Sequence, residues 1–343
     1  MTIVINSDSI KIGNKTISNS PTGISIDGFF NAINVREDGG ESVGGFSHGY
    51  SCGSYTPNAF SVLRYSFASD GNAVNVGKHE ETLNGWLLDR QASISSPSHG
   101  YQAGRGIGPA NSYDATIKKF PFATPSGSAT TVGQLTTGRR DGTGMQSSAS
   151  GYAAGGRIAA GGGQQVTTMD RFTLSSDGNG VNTGDLTVAS SDGSGCSSPT
   201  HGYVVRGTLE KFSFASEGNM AIVAPTAQGR YDGFGQSSRT NGYNSGGAQG
   251  GGQPAPVNYM ITIQKFPFAT DATHVTTAQL TQARATHTGS SSQSHGYNAG
   301  GTTNPTGPAF SLVIDKFSFT ADTNATSVGN LTENQTHGTG HQY

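Results

Sequence analysis

Hydrophobic and polar positions along this chain fall into a short phrase that recurs six times: an apolar residue, a variable one, Lys or Arg, an aromatic, a small residue, then Phe or Leu. It runs Val62-Leu63-Arg64-Tyr65-Ser66-Phe67, Ile117-Lys118-Lys119-Phe120-Pro121-Phe122, Met169-Asp170-Arg171-Phe172-Thr173-Leu174, Leu209-Glu210-Lys211-Phe212-Ser213-Phe214, Ile263-Gln264-Lys265-Phe266-Pro267-Phe268 and Ile314-Asp315-Lys316-Phe317-Ser318-Phe319. The alternation has period two, which predicts a strand and not a helix. In the fifth copy both Phe residues share one face and Ile263 shares the other with Lys265. Apolar residues on both faces are what a strand sandwiched between neighbouring sheets needs. The Lys/Arg positions lie 55, 52, 40, 54 and 51 residues apart, the length of a β-propeller blade and longer than most solenoid repeats.

Each copy is followed by a turn rich in Asp, Gly and Asn, as in Asp70-Gly71-Asn72 and Asp177-Gly178-Asn179. Each turn has one carboxylate, too few for a calcium loop, and Asp-Gly supplies the backbone angles of a tight hairpin. Next comes Val-Gly-x-Leu-Thr, for example Val132-Gly133-Gln134-Leu135-Thr136, expected as the outermost strand. A segment of small residues follows, such as Gly142 to Ser148 and Gly193 to Ser198. Blades crowd together at a propeller's axis, so these segments are expected as the innermost strands. A turn then leads into strand two at His48-Gly49-Tyr50, His99-Gly100-Tyr101, Ser150-Gly151-Tyr152, His201-Gly202-Tyr203, Asn241-Gly242-Tyr243 and His295-Gly296-Tyr297. Because Ser150 and Asn241 fill the same slot as the histidines, a local backbone bond explains all six, and a metal ring is not expected.

The expected fold is therefore all-β: a six-bladed propeller of four-stranded antiparallel blades over residues 36–343, anchored at Tyr50, Tyr101, Tyr152, Tyr203, Tyr243 and Tyr297, with a short β extension over residues 1–35. The extension serves attachment or ring closure. Six copies of strands two to four stand against seven candidate inner strands, because Arg36 to Ser47 precedes the first turn and Gln335 to Tyr343 follows the last Leu331-Thr332. Either end could complete the first blade. The connections between strands two and three vary most: Arg105 to Thr116, Arg157 to Thr168, Ala248 to Thr262 and Thr302 to Val313 are long, whereas Gly207 runs directly into Thr208. They are expected on one face, where binding concentrates.

Only 12% of residues are charged, while Gly accounts for 52 of 343, a turn-rich composition in which Ser, Thr, Asn and backbone solvate the surface. The 20 basic and 22 acidic residues nearly balance. Ten of the basic ones are spread around the repeats, six at the Lys/Arg position and four at Arg90, Arg139, Arg230 and Arg284. A nucleic-acid site wants them clustered, so no nucleic acid is expected. The repeated Lys/Arg is expected to lay its stem on the next blade and carry its charge to solvent. No apolar stretch is long enough to span a bilayer, and the first residues lack the basic start and apolar core of a signal peptide. Cys52 and Cys196 occupy non-equivalent positions, which argues against a disulfide or zinc site, and each fits as a small residue in a crowded strand. The Gly runs at Gly161-Gly162-Gly163 and Gly250-Gly251-Gly252 lack the Lys-Ser/Thr ending of a phosphate loop.

Tyr152-Ala153-Ala154-Gly155-Gly156, Tyr243-Asn244-Ser245-Gly246-Gly247 and Tyr297-Asn298-Ala299-Gly300-Gly301 resemble the Tyr-x-x-Gly-Gly strand of kelch repeats. The Arg thirteen residues before each of these Tyr resembles the Arg that opens a kelch repeat. The chain departs from that pattern at Gly53-Ser54, Gly104-Arg105 and Arg206-Gly207, and it lacks the kelch Trp, Trp86 being its single Trp. The wording Lys-Phe-Pro-Phe-Ala-Thr, Gly-x-Leu-Thr-x-x-Arg and Ser-His-Gly-Tyr-x-x-Gly-Gly is similar to propeller repeats of marine tailed bacteriophages, cyanophages in particular. The opening Asn6 to Gly23 is similar to short β segments that begin phage fibre and appendage proteins.

The resemblance implies a virion structural protein of a tail fibre, tail tip or appendage, made in the host cytoplasm. Other virion proteins would engage its N-terminal segment, and a homo-oligomer is a further option. With no catalytic, cofactor or metal residues assigned, the expected function is non-enzymatic: assembly, and host-surface glycan attachment through the variable loops. The alternatives are a capsid decoration protein with no receptor role and a glycan-processing propeller enzyme. An enzyme of sialidase type would need clustered arginines with a Tyr/Glu pair, and a copper oxidase would need Cys, Tyr and His ligands.

Overall fold

The computed structural model describes residues 47–53, 60–78, 91–107, 112–123, 129–159, 163–226, 228–250, 257–306 and 309–342, together with the backbone of four strands between Ile3 and Ile26. The chain divides into two compact units, Met1–Ser42 and Val43–Tyr343. No helix among the described residues is long and apolar enough to cross a membrane.

The first unit is an antiparallel meander of Ile3–Asn6, Ser9–Ile12, Lys15–Ser20 and Gly23–Ile26. Its register aligns Ile5, Ile10, Ile17 and Ile26 in one row across the sheet.

The second unit is a six-bladed propeller, and each blade is a four-stranded antiparallel sheet. From axis to rim, blade 2 is Ala92–Ser95, His99–Ile107, Ser112–Pro121 and Thr130–Gln134. Blade 3 is Thr143–Gln146, Ser150–Ala154, Thr168–Thr173 and Val181–Asp185. Blade 4 is Ser194–Ser197, His201–Val205, Thr208–Ser213 and Ala221–Pro225. Blade 5 is Phe234–Ser237, Asn241–Ser245, Thr262–Pro267 and Val275–Gln279. Blade 6 is Thr288–Ser291, His295–Ala299, Val313–Ser318 and Thr326–Asn330. Blade 1 joins the two ends of the unit: its inner strand is Thr339–Gln342, paired with His48–Cys52, followed by Ser61–Ser66 and Val74–Lys78. The C-terminal segment therefore closes the ring; residues 36–46 lie outside the described residues.

Small residues line the axis because the inner strands touch each other there. A Cβ on Gly195 would overlap the carbonyl oxygen of Gly144, and one on Gly235 the carbonyl of Gly195. A belt of hydrogen bonds ties these strands together. The backbone N–H groups of Gln146, Ser197 and Ser237 donate to Ser197, Ser237 and Ser291 Oγ, that of Ser291 donates to Gln342 Oε1, and that of Gln342 donates to Ser95 Oγ.

Between blades the repeated aromatics interlock. Tyr243 of blade 5 stacks on Phe319 of blade 6 at 4.8 Å and meets Phe317 edge-on. The same pairing joins Tyr50 to Phe122, Tyr152 to Phe214, Tyr203 to Phe268 and Tyr297 to Phe67. Each such pair adds about 0.5–1.5 kcal/mol beyond the area it buries. Buried at the centre of the interface, the Tyr hydroxyl needs a partner, and Tyr50, Tyr101 and Tyr243 donate to the carbonyls of Phe122, Leu174 and Phe319.

The repeated cation corrects the sequence reading. It does lie on the next blade, and its charge, still partly exposed, ends on a carboxylate there. Lys119, Arg171, Lys211, Lys265 and Lys316 pair with Asp177, Glu217, Asp271, Asp322 and Asp70. The hairpin turn between strands three and four of blades 1, 3, 4, 5 and 6 reaches back over the preceding blade, which brings its acid within range. The same turn binds the preceding outer strand: Gly71 N–H donates to Val328 O, Ala73 N–H to Asn330 O, and Asn330 N–H to Asn72 Oδ1. Outer-strand edge groups are thereby paired, which blunts a row of open backbone donors and acceptors.

Candidate functional site

The two faces of the ring differ in how much they vary. On one face the turns from strand one to strand two are nearly identical. In each, a Ser hydroxyl accepts the N–H of the residue three places on: Ser96 from His99, Ser147 from Ser150, Ser198 from His201, Ser238 from Asn241 and Ser292 from His295. The expectation that the slot side chain bonds backbone is corrected here. Its ring nitrogen or amide meets the preceding hydroxyl, with His99 Nδ1 2.8 Å from Ser98 Oγ and Asn241 Nδ2 donating to Thr240 Oγ1 at 2.8 Å. Backbone closure belongs to the earlier Ser, which explains why the slot tolerates several polar types. The histidines sit on separate blades, and among the described residues no three His, Cys, Asp or Glu side chains are arranged to hold a metal ion.

The opposite face carries the connections between strands two and three and the linkers that lead from each outer strand to the next inner strand. These segments pair with one another, Arg140 with Arg157, Tyr231 with Ala248 and Ala285 with Thr302. At the point where the linkers into blades 3, 4, 5, 6 and 1 drop into their inner strands, one residue takes a left-handed backbone: Asp141 at φ 59°, Asp192 at 62°, Asp232 at 61°, Thr286 at 57° and His337 at 55°. Asp tolerates this conformation, whereas a β-branched Thr does not do so without strain. The segment is held by a second belt, in which the N–H groups of Asp192, Asp232, Thr286 and His337 donate to the carbonyls of Asp141, Asp192, Asp232 and Thr286. Thr286 Oγ1 also lies 2.5 Å from Thr336 Oγ1.

Charged side chains of alternating sign occupy the rim of this mouth. Asp141 lies between Arg140 at 3.5 Å and Arg157 at 3.4 Å, and Arg157 reaches on to Asp192 at 3.6 Å. Both carboxylates are almost fully covered, while Arg140 and Arg157, paired with them, keep 28% and 34% of their side chains exposed. Arg140 sits over the Tyr113 ring at 5.2 Å. Gln165 donates to Ser191 Oγ, which donates to Asp192 Oδ2. In blade 2, burial works against the Asp114 carboxylate, but donors from Thr116 and Arg105 hold it below its usual range.

The repeat-position arginines are not on this surface. Arg139, Arg230 and Arg284 are buried and donate to carbonyls of their own blades, at Ala153, at Gly246 and Thr262, and at Gly300 and Val313. Arg90 lies outside the described residues. Two of the three also meet a buried acid, Arg139 with Asp170 at 3.2 Å and Arg284 with Asp315 at 2.6 Å. Cys52 and Cys196 are free and buried, and burial pushes both thiols up, Cys196 to about 12. Sequence reasoning passed over Asp141, Asp192 and Asp232; the signal was the Asp-Gly that precedes three successive inner strands.

No family model and no curated protein matches the chain. Among solved structures it is similar to one titled "Structure of YjhT", at a TM-score of 0.65 and 14% identity over 82% of this chain and 94% of that one. At that identity the likeness shows the fold alone, a kelch-like six-bladed propeller.

Proposed function

We propose that this protein is a non-enzymatic virion component of a tailed bacteriophage, a fibre, tail-tip or appendage propeller that joins other virion proteins through its N-terminal sheet and attaches to host-surface glycan through its loop face. One observation supports the reading most: blade-to-blade variation is confined to the face bearing the long connections, while the opposite face repeats the same turn around the ring. A rigid scaffold with one variable face is the form of a recognition module. The sequence supplies the setting through its similarity to cyanophage repeats, and the four-stranded N-terminal meander supplies a separate unit to assemble through.

The repeat arginines, which an enzyme of sialidase type would present to substrate, instead hold backbone inside the blades. The test is to locate the protein in a virion density map and to measure binding of the folded, full-length protein to host cells and to a glycan array. A distal position with cell binding supports the proposal. A position on the capsid shell with no binding favours a decorating subunit and removes the receptor role.

A further inference from the structure

We propose that the ligand site of the loop face is a notch above blade 4, and that it takes a stretch of uncharged, hydroxyl-rich saccharide chain; this rests on the glycan reading above and narrows it. The notch arises from a missing loop. Blade 3 folds its connection into a small hairpin, Arg157–Ile158 paired with Gln164–Gln165, and blade 5 does the same with Ala248–Gln249 and Asn258–Tyr259. Blade 4 passes from Val205 to Thr208 with no hairpin between.

What a hairpin covers is visible one blade earlier. That of blade 3 lies over the linker entering blade 4: Ser190 N–H donates to Val166 O, Gln165 bonds Ser191, and Arg157 meets Asp192. The equivalent linker entering blade 5 keeps the backbone bond from Arg230 N–H to Arg206 O, but with no blade 4 hairpin above it Tyr231 and Asp232 remain partly exposed. At the bottom of the gap a Cβ on Gly207 would meet nothing within 4 Å. Beside it, among the described residues, the Arg206 side chain has no ion pair or hydrogen bond, although its carbonyl accepts from Arg230 N–H.

The groups around the notch suit a sugar chain. The Tyr231 ring offers a flat apolar surface for C–H faces, the partly exposed Asp232 is an acceptor for hydroxyls, and Arg157 and Arg206 are donors. Carboxylates Asp141, Asp192 and Asp232 balance guanidinium groups Arg140, Arg157 and Arg206, so no net field selects a polyanion. The belt of backbone bonds fixes Asp192 and Asp232 in place, so little ordering entropy opposes binding.

The test uses the full chain on an array of neutral, uronate-bearing and sulfated saccharides, followed by titration of the best neutral chain. Gly207→Trp fills the notch at a position with ordinary backbone and open space, Tyr231→Ala removes the platform, and Ala215→Trp adds the same bulk in an exposed turn on the opposite face. We expect wild type and Ala215→Trp to bind alike, and Gly207→Trp and Tyr231→Ala to lose about tenfold or more with unchanged thermal midpoints. If wild type binds a neutral chain and both notch variants bind equally well, the notch is wrong and the glycan reading stands. If binding is confined to polyanions and collapses with salt, the ligand class is wrong. If the folded wild type binds no saccharide, both the notch and the glycan reading fall.

Discussion

Two kinds of residue set the tolerance of this ring, the glycines at its axis and the histidines buried between its blades. Gly195 faces the carbonyl of Gly144 on the neighbouring inner strand, so a methyl group there collides with backbone that cannot rotate away. Gly195→Ala is expected to destabilise by about 2 kcal/mol or more, whereas Gly207→Ala, facing open space, should stay within about 0.5 kcal/mol of wild type; urea midpoints of the pair decide the matter. His287 and His274 are buried, and the ring nitrogens of His274 have no hydrogen-bond partner. Burial, aided by Arg284 beside His287 and Arg230 near His274, lowers them to about 3 and about 4. A histidine whose pKa is depressed by folding takes its proton more readily in the unfolded chain. Its contribution is complete above the ordinary value of 6.5 and is lost as pH falls toward the folded value. At about pH 5 each histidine should therefore cost about 2 kcal/mol relative to neutral pH. Comparing unfolding free energies at the two pH values, His287→Gln should recover about half of the combined loss; an unchanged pH dependence would refute the assignment.

At the scale of the strand and its linker, the variable position of the repeated phrase carries more than the pattern suggests. In blades 3, 4 and 6 it is Asp170, Glu210 or Asp315, buried, and each carboxylate accepts the N–H of the Thr that follows the outer strand, at Thr136, Thr187 and Thr281. Asp315 also takes the Thr281 hydroxyl and Arg284. Removing one partner of such a buried pair strands the other, so Asp315→Ala should cost about 3–5 kcal/mol. Lys316 lies on the opposite face of the strand in a partly exposed pair with Asp70, and Lys316→Ala should cost no more than about 1 kcal/mol. Thermal melts of the two variants, one residue apart, test whether burial or charge governs the blade. Strand order and the Gly/Ser axis were legible in the sequence, because period-two alternation and side-chain volume are local properties that repeat. The latches were not. That Lys316 ends on Asp70, or that Asn72 caps Asn330, depends on a turn from the far end of the chain. Only ring geometry brings it there. The loop face was legible as a place, from its variation in length, but its Asp belt was hidden in a dipeptide that reads as an ordinary turn.

For the molecule as a whole, the decisive joint is blade 1, where the last strand meets the first strands of the ring. Thr339–Gln342 holds His48–Cys52 on one side and touches both neighbours along the axis, through Ser291 N–H to Gln342 Oε1 and Ser93 Oγ to Gly340 O. His341, fully buried, has Nδ1 3.0 Å from Ile94 O and Nε2 2.9 Å from Thr339 Oγ1. Every other blade is continuous in sequence, so opening the ring requires only this strand to leave. Local release here should precede global unfolding, because a propeller without it exposes a free sheet edge and half an interface. Cys52 and Thr339 face each other across that joint in register, and Cys52 has no disulfide partner in the native chain. Thr339→Cys, oxidised, would tie the ring shut with a bond enclosing nearly the whole propeller, a long loop for which chain entropy sets a ceiling of about 5 kcal/mol and a typical bridge delivers about 2–4 kcal/mol. The oxidised variant should show slower hydrogen exchange in Thr339–Gln342 and a higher denaturation midpoint than wild type, and reduction should abolish both gains. A midpoint unmoved by a fully formed bridge would mean that the ring opens elsewhere first, and that the closing strand is no weaker than the joints between continuous blades.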